Sequence, residues 1–371
     1  MTSTLLLSMK LSFQIEPRTL HFKFPATTSR GVYTRRKIWL VHACDRDNAA
    51  FQGTGECAPL FDLSPDYTAD YPLRLRAVCD SIERAGRLDD EALRTLPSMR
   101  FGIETALLHA VAAANEKNTP YNTSFSRGEQ GLPINGLVWM GDKAAMFEGL
   151  DDKLRQGFRC IKIKIGAIGF EDEIELLNHV RSEYDAETIQ LRVDANGAFS
   201  PADVMERLDR LAAFGIQSIE QPLRAGRWDA MARVCRESPV PVALDEELIG
   251  LYSRAEKEAM LDKVRPAYLV LKPTLHGGLA GCEEWVSLAE ERGIGWWVTS
   301  ALESNVGLAA IACWTAHLLE SHTRTNISDA SQIIPQGLGT GQLFTDNIPF
   351  SQLQIRGGAL WYDLSQAVTQ E

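Results

Sequence analysis

The sequence lacks the features of membrane, secreted and nucleic-acid-binding proteins. No apolar run approaches the roughly 20 residues that a membrane-spanning helix needs. The apolar segment at residues 4–9 is too short for a secretory signal and has no basic flank. The seven cysteines are odd in number and lack Cys-x-x-Cys spacing, which indicates reduced thiols. The net charge of −11, without a basic stripe, argues against a nucleic-acid partner. We therefore expect a cytoplasmic protein that does not contact membranes.

The hydrophobic pattern divides the chain into regions of different character. Residues 1–131 carry alternating segments typical of antiparallel strands, followed by segments with helical periodicity, which predicts an α+β capping domain. Residues 132–344 alternate between strand and helix patterns. Residues 345–371 depart from that alternation, and we expect this C-terminal segment to return to the cap.

The alternating region predicts an α/β fold, a (β/α)8-type (modified TIM) barrel. One βα unit takes about 30 residues, and the strand-like segments recur at nearly that interval. The third helix is predicted over 200–214, because Ser200-Pro201 is a typical helix start. The predicted strands cover residues 134–139, 160–165, 189–194 and 295–300, three more end at Glu220, Asp245 and Lys272, and an eighth element lies within 326–343.

Five successive strands each end in a charged residue. These residues are Lys164, Asp194, Glu220, Asp245 and Lys272, at intervals of 30, 26, 25 and 27 residues. Glycine or proline follows closely after most of them and ends the strand. In a closed parallel barrel these strand ends meet at the face that holds the active site. The order of one base, three acids and one base therefore predicts a single charged site.

The run Ile161-Lys162-Ile163-Lys164-Ile165 has two interpretations. Alone, such alternation is typical of an edge strand with one wet face. Here the run lies between helical patterns, so it belongs to a parallel sheet. The isoleucines would then pack under helices, and Lys162 and Lys164 would point into the barrel. Buried ammonium groups need partners, and the acids of the next strands supply them.

The three acids suggest a metal site. Carboxylates without a nearby histidine or cysteine favour Mg²⁺, or Mn²⁺, over zinc. A metal on a substrate carboxylate can stabilise an enediolate while a lysine removes the α-proton. Two other classes are weighed against this chemistry. A Schiff-base barrel needs one lysine and no acid cluster, and a non-catalytic binding barrel does not need this whole set of charges.

The motifs together resemble the enolase superfamily and, within it, the muconate-lactonizing-enzyme subgroup. The resemblance rests on the lysine run, Asp194-Ala195-Asn196-Gly197, Glu220-Gln221-Pro222, Asp245-Glu246 and Lys272-Pro273. It implies that Lys164 is the catalytic acid and base, that Lys162 tunes it and contacts the substrate carboxylate, and that Lys272 stabilises the enolate. It also implies that Asp194, Glu220 and Asp245 ligate the metal.

Two segments favour one branch of that subgroup. Residues 300–307 and 337–343 resemble the o-succinylbenzoate synthases, dehydratases of menaquinone biosynthesis. Dipeptide epimerases of the subgroup carry an Asp-x-Asp pair on the eighth strand, whereas residues 335–345 contain no acid. The resemblance thus implies dehydration of 2-succinyl-6-hydroxy-2,4-cyclohexadiene-1-carboxylate, with an N-acylamino acid racemase or dipeptide epimerase as the alternative. The expected binding partner is a small-molecule carboxylate substrate, and the sequence is compatible with a homo-oligomer.

Weaker substrate-binding candidates surround these motifs. They are Asn196, Ser300, Gly339 and Thr340, with the alternative that residues 337–341 form only a turn.

Other cap and loop residues are ambiguous. Arg30, Arg35 and Arg36 could meet a dianionic substrate or form a solvated turn. His276 is interpreted as a loop residue rather than a ligand, and Glu56 with Cys57 as part of the pocket lid.

Overall fold

A computed structural model describes residues 10–28, 31–166, 168–322, 333–350 and 352–364. Four of the sequence-based expectations fall at least partly outside these residues. They concern the N-terminal run at 4–9, Arg30, the first part of the eighth barrel element at 326–332, and the end of the C-terminal segment at 365–371.

The N-terminal region is a three-stranded antiparallel sheet covered by helices, as the alternating and periodic segments predict. The strands are β1 (Leu11–Thr28), β2 (Gly31–Asp45) and β3 (Asn48–Cys57), in the order β1-β2-β3. The helices are α1 (Tyr71–Ala85), α2 (Asp90–Leu93) and α3 (Pro97–Ala114). Their apolar faces form one buried core that includes Trp39, Val41, Tyr71, Leu75 and Leu107.

Strand β3 packs unusually close to helix α3, and glycines make this approach sterically feasible. A Cβ atom on Gly55 would lie 2.6 Å from the backbone nitrogen of Ala106 and would clash with the carbonyl of Gly102. A Cβ on Gly53 would clash with the carbonyl of Ala106. Because backbone atoms on a helix cannot move aside singly, these positions exclude larger side chains.

The central region is a parallel barrel sheet of seven hydrogen-bonded strands in sequential order. The strands are β5 (Gly136–Val138), β6 (Cys160–Lys164), β7 (Gln190–Asp194), β8 (Ile216–Glu220), β9 (Val242–Leu244), β10 (Tyr268–Leu271) and β11 (Gly295–Val298). The eighth position is short: Gln336 bridges to Ile134 and Gly337 to Thr299, both in parallel. These two bridges join the first strand to the seventh and close the ring, as the (β/α)8-type prediction requires.

Helices cover the outside of the barrel after seven of its strands. They are α4 (Lys143–Arg155), α5 (Phe170–Glu183), α6 (Val204–Ala212), α7 (Trp228–Glu237), α8 (Arg254–Val264), α9 (Gly278–Glu291) and α10 (Asn305–His322). Directly after the eighth strand the described residues form a 3-10 turn at Thr340–Gln342 in place of an α-helix. The barrel is therefore a modified one, with the eighth unit reduced.

The third barrel helix begins later than the sequence predicts. The hydroxyl of Ser200 donates to Oδ1 of Asp203 at 2.7 Å, and the Ser200 amide donates to the same oxygen at 2.9 Å. The residues after Ser200 form a turn closed by these bonds, and the helix starts at Val204. The Val204 amide donates to the Ser200 carbonyl at 3.0 Å, so Ser200 begins the turn that leads into the helix.

The C-terminal segment touches both regions. Phe344 bridges to Phe22 of β1, and the Thr345 amide donates to the carbonyl of His21 at 2.9 Å. The hairpin of β12 (Leu353–Arg356) and β13 (Ala359–Tyr362) pairs with β4 (Leu132–Pro133), which immediately precedes the barrel. The domain boundaries at 131 and 344 stay predictions.

Two further expectations concern cysteines and membrane spans. All seven cysteines lie in the described residues, and all are free thiols. Within those same residues, no helix combines the length and the apolar character needed to span a bilayer.

Replacing Gly55 with alanine should destabilise the cap by about 1–3 kcal/mol, the usual cost of overpacking a close-packed interior. The matched control is Gly149→Ala in helix α4, where a Cβ meets only Val138 at an ordinary 3.8 Å. That change should stabilise the helix by up to about 1 kcal/mol. Chemical denaturation measures both changes, and an unaltered midpoint for Gly55→Ala would contradict the proposed close contact.

Candidate active site

The structure brings the predicted charged residues together at the carboxyl ends of the barrel strands. Lys164 pairs in register with Asp194, and Asp194 with Glu220, across β6, β7 and β8. Asp194, Glu220 and Asp245 are at most 2% exposed. Lys162, Lys164, Asp194 and Lys272 line one cavity. The site is therefore a buried cluster of opposite charges inside the barrel mouth.

The lysine strand is internal, and its interpretation as a wet edge strand is wrong. Strand β6 lies between β5 and β7, and each of its residues is buried. Ile161, Ile163 and Ile165 belong to the barrel core. The two lysines point the other way, since side chains alternate along a strand. The isoleucines thus hold the strand under the helices and direct both ammonium groups into the site.

Lys162 bridges two carboxylates. Its Nζ lies 2.6 Å from Oε2 of Glu220 and 2.8 Å from Oδ2 of Asp194. Lys164 shares the Asp194 oxygen at 2.9 Å and donates to Oδ1 of Asn196 at 2.7 Å. Asn196 in turn donates through its backbone amide to Asp194 Oδ1 at 3.0 Å. Every ammonium here has an oxygen partner, which offsets the cost of its burial.

Lys272 also lines the cavity, and it contacts Asp245 and His276. Its ammonium donates to Asp245 Oδ2, and its backbone amide donates to Nδ1 of His276 at 3.0 Å. Burial lowers the pKa of His276 to about 3, so its ring is neutral. With Nδ1 accepting, the ring proton is on Nε2, which lies 3.9 Å from Asp245 Oδ1. His276 is a loop residue, as predicted, and its ring accepts a hydrogen bond from the backbone amide of Lys272.

The electrostatics of the cluster are unevenly balanced. Burial would raise the pKa of Asp194, but Lys162 and Lys164 hold it well below its usual range. Burial would lower the pKa of Lys162, but Asp194 and Glu220 raise it. For Glu220, burial and the neighbouring charge of Asp194 raise the pKa to about 8. The Glu220 carboxylate therefore lacks sufficient positive charge around it, a condition that an added cation would relieve.

The three carboxylates have the donor chemistry of a site for a hard divalent cation. Glu220 Oε1 and Asp245 Oδ1 are buried and have no hydrogen-bond partner among the residues that the structure describes, although buried acceptors rarely stay unpaired. In the described part of the chain, no three acidic, histidine or cysteine side chains converge closely enough to form a metal site as placed. Lys162 bridges Asp194 and Glu220, so a cation would compete with ammonium groups for these oxygens.

The weaker candidates also line the cavity. Asn196, Ser300, Gly339 and Thr340 all contribute to its wall. A Cβ on Gly339 would make ordinary contacts of 3.6 Å, so sterics do not require glycine there. The steric requirement is at Gly337 instead, where a Cβ would lie 2.5 Å from Cβ of Thr299. Gly337 thus permits the close strand approach that closes the barrel.

One expectation about the cap needs correction, namely that Glu56 and Cys57 form part of the pocket lid. Glu56 and Cys57 are fully buried and are not among the residues lining the cavity. The Glu56 carboxylate accepts from the backbone amides of Ser304 at 2.8 Å and Gly307 at 2.9 Å. It therefore caps helix α10 and ties the cap sheet to the barrel, rather than forming a lid.

The sequence reasoning missed several residues that line the cavity from the cap and the first strand. Trp139 lies at the end of the first strand, with Lys164 Nζ 5.7 Å from its ring centre. Tyr33 of β2 and Leu60 come from the cap. A signal for Trp139 was available, since it follows strand β5 at the end where the charged residues cluster. The cap residues carried no comparable signal.

Comparisons with known proteins agree with this geometry. A family model described as Enolase C-terminal domain-like matches residues 145–360. The chain is 43% identical, over an alignment of 381 positions, to an o-succinylbenzoate synthase of Desulfotalea psychrophila. The alignment covers 95% of this chain and 98% of that protein. The crystal structure of MenC from Desulfotalea psychrophila LSv54 superimposes with a TM-score of 0.74 at 38% identity, covering 95% of this chain and 99% of that one.

A solved structure with a different named activity is equally similar in fold. The substrate-liganded L-Ala-D/L-Glu epimerase of Bacillus subtilis superimposes with a TM-score of 0.76 at 18% identity, covering 95% of each chain. At that identity the likeness shows the fold alone. The family match, the near-complete relative and the shared barrel lead to one conclusion. The chain belongs to the enolase superfamily, in its muconate-lactonizing-enzyme subgroup.

Proposed function

We propose that this chain is an o-succinylbenzoate synthase, a lyase that dehydrates 2-succinyl-6-hydroxy-2,4-cyclohexadiene-1-carboxylate in menaquinone biosynthesis. The observation that carries the proposal is the 43% identity to a relative of that name, over 95% of this chain and 98% of the relative. The alternative activities belong to more distant relatives, of which the B. subtilis L-Ala-D/L-Glu epimerase is 27% identical over half of each chain.

In this proposal Lys164 carries both proton transfers. In its amine form it removes the proton from the ring carbon that bears the carboxylate. The electron pair of that C–H bond forms a C–C double bond to the neighbouring ring carbon, and the C–O bond there breaks. The resulting ammonium returns its proton to the departing hydroxide, which leaves as water. One lysine on one face of the ring thus suffices, and the product gains aromaticity.

Lys162 and Lys272 act as fixed positive charges in this proposal. Lys162, held between Asp194 and Glu220, would contact the substrate carboxylate and tune Lys164. Lys272, held by Asp245 and oriented by His276, would stabilise negative charge on the opposite side. Such charges lower the barrier most when they are held in place before reaction, and the buried ion pairs provide that rigidity.

Asp194, Glu220 and Asp245 would hold a divalent cation, as enolase-superfamily enzymes generally do, and we propose Mg²⁺ with Mn²⁺ as a substitute. The two unpartnered oxygens of Glu220 and Asp245 and the raised pKa of Glu220 support this assignment. When bound, the metal supplies positive charge against the substrate carboxylate. We place the enzyme in the cytoplasm with a small carboxylate as its partner.

The segment 335–345 argues against a dipeptide as the preferred substrate. Gly337, Gly339 and Thr340 line the cavity, and no acid occurs between residues 335 and 345. A dipeptide ammonium enclosed there would lack a carboxylate partner from the eighth strand, which is costly in a buried site. The succinyl tail of the proposed substrate makes no such demand.

Chelation should abolish turnover, and Mg²⁺ or Mn²⁺ should restore it. Glu220→Gln should weaken Mn²⁺ binding by at least the roughly 10–100-fold that changes near a metal typically cost. Calorimetric titration of the metal-free protein with Mn²⁺ measures this directly. Glu171→Gln, in an exposed pair with Arg210, is the control that should bind normally. Full activity of rigorously metal-free protein would rule out the metal role.

Lys164→Ala should reduce kcat by about 10²–10⁴-fold or more, because it removes the only acid and base of the proposed cycle. The variant should stay folded, since Asp194 keeps Lys162 as a partner. Lys143→Ala, on an exposed helix, is the matched control. Kinetics and thermal melting are measured together, and dehydration at the wild-type rate in the Lys164 variant would remove it from the mechanism.

A substrate panel separates the dehydratase from its nearest alternative. The cyclohexadiene carboxylate, N-succinyl amino acids and dipeptides are compared by kcat/KM, and the cyclohexadiene should be preferred. Deuterated solvent adds a second readout, since a racemase or epimerase must incorporate deuterium at the α-carbon. If a dipeptide or an N-acylamino acid reacts more efficiently than the cyclohexadiene, the assignment is wrong at the level of substrate.

A further inference from the structure

Arg36 is a buried arginine at the seam between the cap and the barrel. It lies on β2 and is only 3% exposed. Its guanidinium donates to the carbonyl oxygens of Ala58 and Pro59 on the cap side. It also donates, at 3.1 Å in each case, to the carbonyl oxygens of Ala301 and Leu302 on the barrel side. One planar group therefore joins two chain segments more than 200 residues apart in sequence.

Both segments form walls of the substrate cavity. Leu60 and Leu63, just after the cap carbonyls, line it from one side. Ser300, Ala301 and Leu302 line it from the other. The distance between these walls thus depends on the side chain that bonds to both. Because four carbonyl oxygens are fixed by one rigid fork, the two segments cannot shift independently without losing hydrogen bonds.

The barrel segment needs this support because its conformation is unfavourable on its own. Leu302 has a φ of +65°, in the left-handed region that side chains disfavour. The Glu303 carboxylate accepts from the Ser300 hydroxyl at 2.6 Å and the Ala301 amide at 2.7 Å. The Arg36 guanidinium donates to the carbonyl oxygens of Ala301 and Leu302 in this turn. The turn is thus held by a carboxylate on its amide side and a guanidinium on its carbonyl side.

Among the described residues, no carboxylate forms a direct ion pair with Arg36. Burial lowers its pKa, and the nearby carboxylates of Glu303 and Glu56 oppose that effect. Those two carboxylates are themselves occupied by the turn and by the start of helix α10. The Arg36 guanidinium therefore donates to main-chain carbonyl oxygens, and these bonds fix the position of the backbone.

We propose that Arg36 is a positioning residue that sets the width of the substrate cavity by clamping residues 300–302 against residues 58–60. It acts through the two loops and does not itself touch the reacting atoms. Its kinetic consequence rests on the proposed dehydratase function, whereas the clamping itself does not.

The first measurement is hydrogen–deuterium exchange, which is independent of any substrate. Arg36→Met and Arg36→Lys are compared with Arg35→Met, an exposed neighbour that is not among the described residues lining the cavity. A second control is Leu75→Ala, a cap-core variant that loses stability without touching the seam. Exchange should rise in peptides covering 58–63 and 299–304 in both Arg36 variants, and more in the methionine variant. If Leu75→Ala raises exchange in the same two peptides to the same extent, Arg36 is merely structural and the proposal fails.

The second measurement is steady-state kinetics with the cyclohexadiene substrate. Arg36→Met should lower kcat/KM by about 10–100-fold, as displacements of about 1 Å in binding groups do. Most of the loss should fall on KM, with Arg36→Lys intermediate and both control variants near wild type. If Arg36→Met does not fold, Arg36→Lys decides the question by the same readouts. An unchanged KM together with unchanged exchange overturns the proposal. A wild-type protein inactive on this substrate refutes only the proposed function, because the exchange result still tests the clamp.

Discussion

The organisation of this protein depends on neutralising buried charge inside a parallel barrel. Ammonium groups and carboxylates leave water together only if each meets a partner at close range. Strands β6, β7 and β8 satisfy that constraint because Lys164, Asp194 and Glu220 lie in register at the same level of the sheet. The strand positions, the isoleucine core behind them and the position of the cavity all follow from this arrangement. A slip of one residue in β6 would turn both lysines into the apolar core.

The barrel and the charged cluster were predictable because both follow from local periodicity. Each βα unit ends at the same edge of the sheet, so evenly spaced terminal charges must converge there. The inward direction of Lys162 and Lys164 could be predicted from the alternation of side chains along a strand and from the helical patterns on either side of it. The strand bounds were accurate to within one or two residues for β6 and β7, since both end at the charged residue itself. The roles of these residues, and the metal, stay predictions that the experiments above test.

The features that escaped prediction depend on contacts between distant parts of the chain. Arg36 bonds to Leu302 and Glu56 to Ser304, each across more than 240 residues, and no periodicity reports such pairs. The eighth strand consists of only two bridged residues, and the close approach at Gly337 permits one of these bridges. So short a strand leaves no alternating hydrophobic pattern in the sequence. After Ser200 the chain first forms a turn with Asp203, and the regular helix begins only at Val204. Each of these features depends on a specific contact that the local sequence pattern does not encode.

The similarity to two solved structures shows where specificity must arise. The chain superimposes on MenC and on a dipeptide epimerase with TM-scores of 0.74 and 0.76, so the backbone does not distinguish the reactions. A shared barrel supplies charge and proton transfer, whereas the choice of substrate depends on what surrounds the reacting carbon. In this chain those surroundings are the acid-free eighth strand and two loops, one from the cap and one from the barrel, that a single arginine holds together. The proposed chemistry therefore depends on the barrel, whereas we infer that the shape of the cavity depends on the seam between barrel and cap.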